Sequence, residues 1–181
     1  EIQVEQVYEM RGSPPCMAPK GTSLVSVARP VTASSVPESG DLKMITDGET
    51  NNADGLVSFR RELNWIQMDL GAPHELYAIL LWHRRTGNLS PFPLSVQFSN
   101  DPSFKDRVNF LENNPKNTPS DSQKGAGYYV VGFCEVSLFA PGGREARFVR
   151  FHVPGNDCWQ RNEYVEIEVW GRPVRSEEHT S

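Results

Sequence analysis

Along much of the chain, apolar residues fall on every second position. In Trp65-Ile66-Gln67-Met68-Asp69-Leu70, the side chains of Ile66, Met68 and Leu70 share one face and those of Gln67 and Asp69 the other, the period of a half-buried strand. Gly71-Ala72-Pro73 is expected to end it. Leu94, Val96 and Phe98 alternate with Ser95, Gln97 and Ser99 before a turn at Asn100-Asp101-Pro102, and Val149, Phe151 and Val153 alternate with Arg150 and His152. Val165, Ile167 and Val169 alternate with Glu166 and Glu168 until Gly171 and Pro173 stop the pairing. Tyr77 to Trp82 is instead a continuous apolar run, as in a strand covered on both faces. Short strands joined by long connections predict an all-β fold, a β-sandwich or jelly roll, with no more than a turn or two of helix.

Composition supports this pattern. Fourteen glycines and fourteen prolines leave little room for a sustained period of 3.6 residues, and 181 residues suit one domain. Residues 1–22, which carry Pro14, Pro15 and Pro19, read as an irregular lead in which ladders are broken and which packs on the outside of the main fold. Residues 23–174 form the sandwich, and 175–181 a polar, disordered tail or expression remnant. Within the sandwich, 112–127 is dense in Asn, Pro, Ser, Lys and Gly and reads as a long surface loop. No apolar run approaches the ~18 residues that cross a bilayer, and Glu1 to Glu5 lack the start of a signal peptide, so the sequence reads as a mature protein or an excised module. A net charge of −5, from 18 basic and 23 acidic residues, argues against broad attraction to nucleic acid or anionic membrane while leaving room for a local basic patch.

Candidate chemistry narrows the function class. There is no GxSxG elbow, HExxH pair, P-loop or dinucleotide fingerprint, and Gly125-Ala126-Gly127 lacks a third glycine. A catalytic pair assembled from Asp47, Asp54, Asp69, Glu166 or Glu168 is weighed against the ordinary state of such acids, which is solvated, and the chain is read as non-catalytic. His74, His83, His152 and His179 are too scattered for a zinc site. Three cysteines allow at most one internal disulfide; if a bond forms, Cys16 and Cys158 are its ends, since Cys134 lies in an apolar run and packs as a small hydrophobe. Asn88-Leu89-Ser90 is a glycosylation sequon followed directly by Pro91.

Taken in order, ITDGE at 45–49, WIQMDLG at 65–71, AILLWH at 78–83, VQFSNDPSF at 96–104, ARFVRFHV at 146–153 and VEIEVWGRP at 165–173 resemble the landmark segments of discoidin, or coagulation-factor type C, domains. These belong to the galactose-binding-like jelly rolls, and the resemblance covers roughly residues 24 to 173. MAPKG at 17–21 and the 112–127 insertion are similar to discoidin-like modules of large secreted bacterial proteins. Many such domains bridge a cysteine near each end of the fold; Cys16 and Cys158 do not stand at those places, and the segment from Thr50 to Gly55 is longer than the usual compact turn.

Two candidate sites stand out, the positions of the first implied by the resemblance and those of the second read from the residues themselves. The first is a structural calcium between the Asp47-Gly48 turn and the last strand, held by the Met44 carbonyl, the Asp47 carboxylate, the Glu49 carbonyl, Asn52 and Glu166, with Asn51 or Asp54 as replacements for Asn52. The plain alternative is that Asp47 caps a β-turn and Glu166 points to water. The second is a glycan surface in which His83, Arg84 and Arg85 leave a buried strand and meet Asn156, Trp159 and Arg161, guanidinium donors and an aromatic face together suiting a sugar ring. Against it stands the alternative that Trp82 and Trp159 are core and both arginines solvated; Trp65 and Trp170 are expected to pack. The expectation is a non-catalytic carbohydrate-binding module of a larger secreted or cell-surface protein, with a glycan or polysaccharide and neighbouring domains as partners. Its rivals are a protein- or lipid-recognition module of the same fold and a structural spacer.

Overall fold

The computed structural model describes residues 4–8, 16–50, 55–60, 65–83, 95–112, 128–131, 135–152 and 161–174. In chain order the strands are β1 (Val4–Tyr8), β2 (Cys16–Pro19), β3 (Ser23–Leu24), β4 (Val31–Ala33), β5 (Val57–Arg60), β6 (Trp65–His83), β7 (Ser95–Ser99), β8 (Val108–Glu112), β9 (Tyr128–Val131), β10 (Glu135–His152) and β11 (Arg161–Pro173), with one 3₁₀ turn at Leu42–Thr46. Nine of them, β3 to β11, form one antiparallel network, and β1 pairs with β2 separately. The prolines of the lead therefore do not prevent a ladder, since Val4 pairs with Pro19 at its end, where a missing N–H costs little.

β6 and β10 run side by side through the whole network, from Trp65 opposite His152 to Trp82 opposite Glu135. Residues 65–69 of β6 and 148–152 of β10 join β4, β7 and β8; the other halves join β11 and β9. Ile66 and Leu81 nevertheless belong to one buried cluster. A straight strand would hold them roughly 50 Å apart, so the pair of strands must fold back and lay its two halves face to face. Register breaks between Phe139 and Arg144 and between Ala146 and Phe148 mark the corner, as bulges do where a strand changes sheet. Gly71-Ala72-Pro73 does not terminate the strand as the sequence suggests; it forms the β6 side of this corner. Gly71 has φ +82, and a Cβ there would lie 2.7 Å from Arg29 Nη1. The corner is tied by Glu75 Oε2, which accepts from Tyr77 OH at 2.9 Å and Arg172 Nε at 2.6 Å.

The inward alternation holds where it was expected: Ile66, Met68, Leu70, Val96, Phe98, Val149, Phe151, Ile167 and Val169 are buried. Tyr77 to Leu81 are buried without interruption. β11 departs from simple alternation, because Tyr164 is buried, Val165 is half-exposed, and Glu166 and Glu168 are buried along with Ile167 and Val169. A register break between Tyr164 and Glu166 shifts the inward phase from even to odd positions. Leu94 and Val153 lie outside the described residues, as do 113–127, 175–181, Cys134 and Cys158.

On the outward side of β6, Asp69 takes a bidentate pair from Arg147, Nε to Oδ1 at 2.8 Å and Nη2 to Oδ2 at 3.0 Å, and its Oδ1 accepts from Gly71 N at 2.8 Å. The Arg147 guanidinium holds the Asp69 carboxyl below its ordinary range, against the opposing effect of burial. The Asp and Gly of WIQMDLG are thus a cross-strand clamp and the turn beside it.

Candidate functional site

The early turn is fixed before it reaches the last strand. Asp41 Oδ1 accepts from Lys43 N at 3.0 Å, and its N–H is directed at Met44 Sδ at 3.4 Å, so the turn is capped from its own first residue. Ile45 and Thr46 are buried, and Thr46 Oγ1 donates to Arg29 O at 2.9 Å. The chain then passes through Asp47 to Gly48, whose φ of +89 turns its N–H toward β11. That N–H donates to Glu166 Oε1 at 3.2 Å, while Asp47 Oδ1 accepts from Glu49 N at 2.9 Å.

Glu166 is fully buried and its Oε2 has no hydrogen-bond partner. Burial, aided by the charges of Asp47 and Glu168, pushes its carboxyl up to about 8, although the Gly48 N–H acts the other way. Glu166 therefore does not point to water, whereas Asp47 does cap its turn as the plain alternative has it. Once ionised, a buried carboxyl with one idle oxygen beside another carboxylate is poorly compensated, which is why it keeps its proton to higher pH. Among the described residues no group of three or more His, Cys, Asp and Glu side chains converges as a metal cluster. A hard cation here would have to complete its shell with carbonyl or amide oxygens, which is what calcium accepts. Asp47 and Glu166 are the carboxyl groups available to such an ion, which would have to displace the proton that Glu166 holds at neutral pH, and Met44 and Glu49 flank Asp47 on the same segment. Asn51, Asn52 and Asp54 lie outside the described residues.

Glu168, one step along the same face, accepts from Trp170 Nε1 at 3.2 Å, and burial raises its carboxyl too. Trp82 and Trp170 are half-buried, and Trp82 Nε1 is a buried donor without a partner.

The glycan surface is reached only through its anchors. Arg84, Arg85, Asn156 and Trp159 lie outside the described residues, and of His83 and Arg161 only the strand positions are described. Their strand ends do meet: His83 pairs with Tyr164, and Arg161 with Arg60. Ser95 and His152, the other ends flanking 84–94 and 153–160, pair with each other. All of these positions lie away from the corner, so both connecting segments are anchored at one end of the sandwich.

At this end the structure adds residues that sequence reasoning missed. A cleft of about 430 Å³ is lined by Ser35, Val36, Pro37, Glu38 and Arg60. Arg60 Nε donates to Glu38 Oε1 at 3.3 Å, and Glu38 N donates to Ser58 O at 2.8 Å, so the segment after β4 is held against β5. Val36 is 89% exposed at the rim. Ser-Val-Pro-Glu-Ser reads only as a turn in sequence, and nothing local announces that Arg60 stands across from it.

No protein-family model matches the chain, and no curated protein does. Solved structures do. The chain is similar to a fucose binding module of Streptococcus pneumoniae, at 19% identity over 83% of this chain and 96% of that one, with a TM-score of 0.58. The fold shared with these structures is an all-β jelly-roll sandwich. The same arrangement recurs in CpGH89CBM32-6 of Clostridium perfringens, with 19% identity over 82% of this chain and 99% of that chain and a TM-score of 0.53. An f-lectin from striped bass (Morone saxatilis) serum gives 15% identity over 84% of this chain and a TM-score of 0.63; the match spans 48% of the fish protein.

Proposed function

We propose that this jelly roll is a non-catalytic glycan-binding module of a larger extracellular protein, with its sugar site at the end of the sandwich away from the corner. The cleft between Ser35–Glu38 and Arg60 carries the reading. It places a forked guanidinium and a carboxylate against apolar Val36 and Pro37, donors and acceptors for hydroxyls beside a surface for C–H groups. It also opens at the end where residues 84–94 and 153–160 are anchored, so Arg84, Arg85, Asn156 and Trp159 are assigned to the same site, together with His83 and Arg161. Similar solved structures include a fucose binding module and a lectin domain complexed with Lewis b antigen, which supports a sugar as the ligand class.

Calcium belongs to the same proposal as a structural ion. Asp47, Glu166 and carbonyls of Met44 and Glu49, with Asn52, would hold it. When bound, it would pair the exposed Asp47 carboxylate with the buried Glu166 and tie the early turn to β11. A glycan-array screen of the wild type and Arg60→Ala, each with calcium and with chelator, tests both parts. Binding of a sugar class by the wild type that weakens in Arg60→Ala supports the site; a surface that captures protein or lipid and no glycan in either buffer points to the rival recognition module.

A further inference from the structure

The outward face of β10 and its neighbours is polar and holds a cation that the fold itself leaves without an anion. Arg150 stands on the central strand of this half of the sandwich, opposite Gln67 on β6 and Gln97 on β7. Its guanidinium lies 3.9 Å from the Phe104 ring centroid and 4.8 Å from that of Trp65, stacked between the two. Nε and Nη2 both donate to Gln67 Oε1, at 3.0 and 2.7 Å. That amide oxygen is neutral, and among the described residues Arg150 has no carboxylate partner. The charge that acts on it is a like one, Arg107, which is exposed at the start of β8.

Among the described side chains, three nearby acids are engaged elsewhere. Asp101 accepts from Ser103 and from Lys105 N inside the turn, Asp106 from Ser99 and Asn100, and Asp69 from Arg147. Around Arg150 the amides are already aligned: Gln97 Nε2 donates to Asn109 Oδ1 at 3.0 Å, and Gln97 Oε1 lies 3.0 Å from His152 Nε2. Burial and Arg107 lower the affinity of Arg150 for its proton, the mark of a cation short of compensation. Such a pair of cations is unexpected on a chain of net charge −5, where a surface without a purpose for positive charge readily finds acids.

We propose that this sheet face, centred on Arg150 and Arg107, binds the anionic groups of an acidic polysaccharide, the rings holding Arg150 ready for a carboxylate or sulfate and the Gln97–Asn109 row meeting neighbouring hydroxyls. The face borders the cleft's end of the sandwich through Trp65 and His152, but neither Arg150 nor Arg107 lines the cleft. An anion would supply the charge that the fold withholds, and the fixed guanidinium loses little conformational freedom on binding it.

Affinity electrophoresis of the calcium-loaded protein through polygalacturonate, dextran sulfate and neutral dextran tests this. Polygalacturonate offers carboxylates and dextran sulfate sulfates, so the two arms distinguish the anion. The wild type is expected to be retarded by at least one acidic polymer and not by neutral dextran, less so as salt is raised. Arg107→Ala, an exposed change that leaves the stack intact, and Arg150→Gln should each weaken retardation about tenfold, the loss of one charge-assisted hydrogen bond. Arg60→Ala should leave it unchanged. No retardation by either acidic polymer, equal retardation of wild type and Arg107→Ala, or a loss confined to Arg60→Ala overturns the proposal. Equally tight binding of a DNA duplex would overturn its assignment to polysaccharide.

Discussion

Asp69 receives both arms of Arg147, and the pair is about one-third exposed, so its worth is the modest one of a surface bridge with good geometry. Its carboxyl titrates below the ordinary 3.8. The contribution is therefore complete above that value and is lost as pH falls through the lower, folded one. Urea titrations should show Asp69→Asn less stable than the wild type at pH 7, with the difference shrinking toward pH 3. A difference that is the same at both would remove the ion pair from the account. Gly71 tests the turn beside it: with φ +82 and Arg29 Nη1 where a Cβ would go, Gly71→Ala should cost about 1–2 kcal/mol. Thermal melts of the variant check this.

At the scale of elements, β11 is where the sequence and the structure part. Alternation of Val165, Ile167 and Val169 predicts three equivalent core residues, but the register break after Tyr164 turns Val165 partly outward. Ile167→Ala should then cost about 2–5 kcal/mol and Val165→Ala well under half of that, measured by chemical denaturation. Equal costs would contradict the bulge. A bulge depends on what the partner strand offers, and one strand's own letters do not display it. The corner in β6 is hidden for the same reason. Gly71-Ala72-Pro73 reads locally as a stop, and only the matching breaks in β10 turn it into a bend. Strand positions that obey period two, such as Ile66, Met68, Val96 and Phe98, were legible because burial of one face is written into each strand separately.

For the molecule as a whole, the jelly roll was legible through the order of its segments, whereas the sites depend on long-range contacts. Gly48 and Glu166 are 118 positions apart, and neither segment alone announces the hydrogen bond between them. Glu38 and Arg60 line a cleft that neither segment announces. If calcium closes the gap at Glu166, adding it to chelated protein should raise the melting temperature, with a stabilisation of about 2.7 kcal/mol at a hundredfold excess over the dissociation constant. Glu166→Gln should abolish that response while leaving the chelated protein folded, since burial pushes this carboxyl up to about 8 and the amide replaces a group that is already largely neutral at pH 7. A full calcium response in Glu166→Gln would place the ion elsewhere.

The central claim is that a sugar binds at the end of the sandwich where Arg60 lies. Isothermal titration of the calcium-loaded wild type and Arg60→Ala with the best sugar from the array tests it most directly. A dissociation constant between roughly 1 mM and 1 μM is predicted for the wild type. Arg60→Ala should bind at least several-fold more weakly at an unchanged melting temperature. Undiminished binding by Arg60→Ala, or no sugar bound by the folded wild type, would contradict the account.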